Sequence, residues 1–69
     1  MPRQAEREIL LEFHQVGNAV KVTAVDPVTL VEVSIVGAAD AGEEMLKRTA
    51  IRKLDYVLGK RARERRSGR

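Results

Sequence analysis

Sixty-nine residues leave room for one core, and the absence of cysteine excludes a disulfide framework, a Cys-based zinc site and a thiol nucleophile. A chain this small, without covalent or metal staples, depends on one tight core or on a partner. The formal charge of +3 hides a segregation: residues 1–59 hold seven Lys/Arg against nine Asp/Glu, a net of −2, whereas residues 60–69 hold six basic residues and Glu64, a net of +5.

Residues 1–6 carry no apolar run of the kind a signal peptide needs. No stretch approaches the roughly 20 apolar residues of a membrane span. A cytoplasmic location is therefore the expectation.

Three segments alternate with period two, the pattern of half-buried strands. In "EILLEFHQV" Ile9, Leu11 and Phe13 alternate with Glu12 and His14. In "AVKVTAV" Val20, Val22 and Ala24 alternate with Lys21 and Thr23. In "LVEVSIV" Val31, Val33 and Ile35 alternate with Glu32 and Ser34. Gly17-Asn18 suits a two-residue type II′ turn, whose twist matches the flanking strands. Asp26-Pro27-Val28-Thr29 suits a type I turn with Asp first and Pro second. If both loops have two residues, Phe13, Val22 and Val33 form one row and Leu11, Ala24 and Val31 the next. One sheet face is then wholly apolar, and a one-residue slip would destroy it.

The segment "GAADAGEEMLKRTAIRKLDYVLG" reads as a helix near residues 41–58. Asp40 and Glu43 have capping-box spacing, and Glu43 and Glu44 favour a first turn. Leu46, Ala50, Ile51, Leu54, Val57 and Leu58 make one stripe at period 3.6, with Lys47 at its edge, and Gly59 is a natural stop. The stripe must be buried, and the apolar sheet face is the available partner. The expected fold is α+β: a three-stranded antiparallel meander with one C-terminal helix across one face, β-β-β-α. Residues 1–59 form the single domain, and 60–69 a basic, disordered C-terminal tail.

The stretches "GNAVKVTAVDPVTLVEVSIVG" and "AIRKLDYVLGK" resemble a small bacterial protein family of unknown function. In that pattern a Gly often follows the Asp-Pro-x-Thr turn and a Pro follows Gly37, where this chain has Leu30 and Ala38. The resemblance implies the fold and carries no functional residue with it.

Candidate chemistry is sparse. In the expected register His14 shares an outward row with Lys21 and Ser34, but two strand spacings put Ser34 about 10 Å away, too far for a nucleophile–base pair. Glu12 and Glu32 flank Thr23 at about 10 Å, near the limit for a water-using carboxylate pair, yet on a flat face without a pocket to shift a pKa. "GAADAG" lacks the Gly-Lys-Ser/Thr of a phosphate loop, and Glu43-Glu44 repel phosphate. One His, no Cys and no calcium-loop spacing leave no metal cluster. Neither a cofactor nor a small-molecule substrate is expected, and an enzyme is not.

Two surfaces invite a partner. Leu10, Val25 and Leu30 fall in one outward row of the sheet, and Met45 and Tyr56 lie on the far side of the helix. Lys60, Arg61, Arg63, Arg65 and Arg66 supply cations for phosphates, without aromatic residues to stack on bases. The sequence thus points to a non-enzymatic interaction module that self-associates as a homodimer or binds a protein partner. The alternative is a nucleic-acid-associated protein whose tail binds without reading sequence.

Overall fold

The computed structural model describes residues 8–66. Strands β1 (Leu10–Val16), β2 (Ala19–Val25) and β3 (Glu32–Ala38) form one antiparallel sheet in the order β1-β2-β3. A 3-10 turn at Ala39–Ala41 leads into α1 (Glu43–Arg66), the one α-helix among the described residues. This is the expected β-β-β-α meander. Residues 1–7, and residues 67–69 of the expected tail, lie outside the described residues.

The first hairpin follows the turn chemistry. Val16 pairs with Ala19, leaving Gly17-Asn18 as a two-residue loop, and Gly17 takes φ 61° as the first position of a type II′ turn requires. Phe13 then faces Val22, and Leu11 faces Ala24.

The second hairpin differs from the two-residue reading. Val22 pairs with Ile35 and Ala24 with Val33, a shift of two residues along β3. The cause is the Asp26 side chain. Its Oδ1 accepts from the backbone N–H of Val28 at 2.8 Å and of Thr29 at 3.3 Å, winding the chain into a wider loop. The Leu30 N–H then returns to the Asp26 carbonyl at 2.7 Å, and the Asp26 N–H donates to the Val31 carbonyl at 3.0 Å. Four residues, Pro27 to Leu30, therefore separate the paired Asp26 and Val31. Closing the loop forces Leu30 to φ 65°, the left-handed region that a Cβ disfavours. Because side chains alternate with period two, a two-residue shift leaves the apolar residues of β3 on the same face.

Val20, Val22, Ala24, Val31 and Val33 from the sheet and Leu46, Ala50 and Leu54 from the helix form the buried core. Ile9, Leu11, Phe13, Ile35, Ala39, Val57 and Leu58 pack around it, half-buried. The helix rests on β2 and β3. Gly37 makes the close approach possible, because a Cβ there would run into the Leu46 side chain.

Both helix ends depart from the sequence reading. Gly42, with φ 96°, holds the cap position, and its carbonyl accepts the first helical bond from the Leu46 N–H at 3.1 Å. Asp40 is spent in the 3-10 turn, two residues before the cap, so Glu43 opens the helix rather than closing a capping box. At the other end Gly59 does not stop the helix, which runs on to Arg66. Lys60–Arg66 are helical turns, not a detached arm. Lys, Arg, Ala and Glu are good helix formers, and cations suit the C-terminal end of the helix dipole. A 24-residue helix is about 36 Å long against about 23 Å for a seven-residue strand, so its basic end overhangs the sheet.

Two substitutions test these departures. Leu30→Gly should relieve the left-handed strain at an exposed site and raise stability by about 0.5–1 kcal/mol in urea denaturation. Gly59→Ala should add about 1 kcal/mol and deepen the helical circular-dichroism signal, since a methyl there meets only the Arg63 guanidinium at ordinary contact distance, 3.6 Å. A helix that ended at Gly59 would show no such gain.

Candidate functional site

The helix covers one sheet face and leaves the other open. On the open face the rows run Leu10–Val25–Glu32, Glu12–Thr23–Ser34, His14–Lys21–Val36 and Val16–Ala19–Ala38. Leu10 and Val25 are adjacent, as expected, with Leu10 58% exposed. Leu30 is not in their row. The wider loop carries it out of the sheet, where it stands 74% exposed, and Glu32 takes the third place. Met45 and Tyr56 are both exposed on the helix, eleven positions and about 16 Å of axis apart. The five candidate partner residues thus divide between opposite sides of the molecule.

Two further residues of the open face were not among the candidates from the sequence. Val16 and Val36 are 65% and 70% exposed and stand at the corner that Ala19 and Ala38 complete. The signal that could have found them is period two, which puts both on this face in either β3 register; the register sets only their neighbours, with Val36 beside Lys21 and Ala38 beside Ala19. The face therefore has an apolar corner at each end and a polar middle. In that middle the Thr23 and Ser34 hydroxyls hydrogen-bond at 3.1 Å.

The register also rearranges the polar pairs. His14 lines up with Lys21 and Val36 instead of Ser34. Glu12 and Glu32 fall in different rows, about 12 Å apart by sheet spacings. Among the described residues no group of three or more His, Cys, Asp or Glu is placed to hold a metal.

On the helix side, a cavity of about 300 Å³ opens where the start of α1 meets the first hairpin. Phe13, Gln15, Val20, Ala39, Glu43 and Leu46 line it, so Glu43 is its one charged group. Its floor exists because the helix lies over β2 and β3 and leaves the inner side of β1 half-covered.

The two sheet edges are unlike. Lys53 reaches across from the helix, and its Nζ donates to the Ser34 carbonyl on β3 at 2.9 Å. Across the sheet, β1 has β2 as its one sheet neighbour among the described residues. The basic residues Lys60, Arg61, Arg63, Arg65 and Arg66 are all exposed on the overhanging helix. At 100° per residue they surround the axis and do not share one face. Among the described residues no helix is long and apolar enough to cross a membrane.

No curated protein and no solved structure matches the chain. Residues 6–62 match the family described as "Domain of unknown function (DUF6898)", a span that takes in all three strands and the helix as far as its overhang, and the chain belongs to that family.

Proposed function

We propose that the chain is a small non-enzymatic interaction module that acts by protein–protein contact. The observation that carries this reading is the open sheet face. Leu10, Val16 and Val36 stand exposed there, on a sheet whose other face already holds the core. A sheet face with apolar corners and a hydrogen-bonded polar middle suits contact with another surface: apolar groups supply the driving force and the polar rows set orientation. Its flatness supports the same reading, since acid–base chemistry needs a pocket in which a proton can be held and moved.

Val36→Lys tests it. Val36 is exposed, so the fold should be unchanged, and a charge in its place should weaken capture of a partner from cell extract by about ten- to hundredfold. Recovery at the wild-type level would argue against this face.

A second reading, non-specific contact with nucleic acid, draws support from the basic helical overhang. Five cations are carried out beyond the sheet. Binding by these groups should show a log–log salt slope of about −4 to −5 and no preference between unrelated oligonucleotides. Fluorescence anisotropy at two salt concentrations checks it. A flat salt response, or binding that survives Arg61→Glu with Arg65→Glu, would remove this reading.

A further inference from the structure

We propose that the partner for the β1 edge is a second copy of this chain, joined strand to strand across a two-fold axis at Phe13 into a continuous six-stranded sheet. The inference rests on the interaction reading above and names the partner.

The backbone sets the geometry. In a two-residue hairpin the pair beside the loop is hydrogen-bonded and the pattern alternates from there. Val16–Ala19, His14–Lys21 and Glu12–Thr23 are then the bonded pairs of β1 and β2. The N–H and C=O groups of Leu11, Phe13 and Gln15 point away from β2. The same alternation turns the Ser34 carbonyl outward on β3, where Lys53 takes it at 2.9 Å. One edge is therefore engaged by the protein's own helix, and among the described residues the other still has donors and acceptors to pair.

Side chains choose the register. With Phe13 on the axis, Phe13 faces the partner's Phe13 and Leu11 faces the partner's Gln15 on the helix side. On the open side Glu12 faces the partner's His14, and Leu10 faces the partner's Val16. Carboxylate meets imidazole N–H, and two exposed apolar residues meet each other. Moving the axis to residue 12 sets Glu12 against the partner's Glu12. Moving it to residue 14 sets His14 against the partner's His14 and Glu12 against the partner's Val16. Only the Phe13 register is complementary throughout.

The same register unites surfaces that are separate in one chain. Ala38, Ala19 and Val16 run on into the partner's Leu10 and Val25, one apolar row spanning both copies. On the helix side Ile35, Val22 and Phe13 meet the partner's Phe13, Val22 and Ile35, so the two cores become continuous. Phe13, half-buried in the single chain, gains an aromatic neighbour.

The test is sedimentation equilibrium of the whole chain from roughly 10 µM to 1 mM, the range of a small edge-to-edge interface. Wild type should dimerise. His14→Glu, at an exposed position, should weaken the dimer about tenfold by setting Glu12 against a carboxylate, and Glu12→Lys combined with His14→Glu should restore it. Gln15→Pro removes an outward N–H that no strand among the described residues uses, and should also weaken association about tenfold or more with the fold kept. A double variant as weak as the single one overturns the register, and a dimer indifferent to all three variants overturns the edge. A chain monomeric at about 1 mM overturns the inference, while the Val36→Lys capture experiment still decides whether the open face binds a different protein.

Discussion

A three-stranded sheet carrying one helix has a single place to hide apolar surface, the layer between them, and every other feature of this molecule follows from filling it. Leu54 and Val22 are the largest side chains buried completely there, with Ala24 and Ala50 equally closed to solvent beside them. Small residues in both layers let the helix settle close to the sheet, and Gly37 extends that closeness to Leu46. One helix, however, is about 10 Å wide and three strands span about as much between their axes. Seated over β2 and β3, it leaves β1 half-covered on the inner side. The cavity beside Phe13, the half-exposed Phe13 ring and a β1 edge with no second strand among the described residues are three consequences of that one seating.

How much of this was legible in the sequence depended on which physical signal carried it. Period two marks which face a strand residue occupies, and it placed Val22, Ala24, Val33 and Leu11 on the correct side. It cannot mark position along the strand, because a two-residue shift preserves the alternation. The Gly17-Asn18 turn fixed the first register, since its backbone demands leave no freedom in loop length. The second was hidden in the Asp26 side chain, which bonds two backbone N–H groups and widens a loop that Asp-Pro spacing alone would close in two residues. That one difference removed Leu30 from the candidate surface and moved Val36 from beside Ala19 to beside Lys21. Leu30 itself holds φ 65°, a conformation that glycine adopts without the cost of a Cβ.

The helix end was illegible for another reason. An amphipathic stripe reports where a helix is packed, not where it stops being helical. The stripe ends at Leu58, beside the core, and from Lys60 on the helix is exposed. The helix continues because Lys60–Arg66 have good propensity, and because positive side chains offset the exposed carbonyls of the last turn. Packing and propensity thus set two different ends, and the overhang lies between them. The charge segregation read from composition becomes a spatial one: an acidic sheet-and-helix body, and a cationic helical end projecting beyond it.

Edges decide what such a small sheet can do. A barrel removes its edges by closing, and a large sheet covers them with loops, but three strands must leave two edges within reach of solvent. This chain treats them asymmetrically. Lys53 spends its ammonium group on a β3 carbonyl, a contact that adds little to the core and instead occupies an acceptor another strand would need. On β1 the outward positions are Leu11, Phe13 and Gln15, none of them charged and none proline, so the residues that usually repel a new strand are missing there. Glu12 and His14 instead project onto the open face, where they set the order in which a strand can approach without barring it. Protection of one edge and permissiveness at the other are properties of single side chains, and together they give a flat, one-helix fold a direction in which to grow.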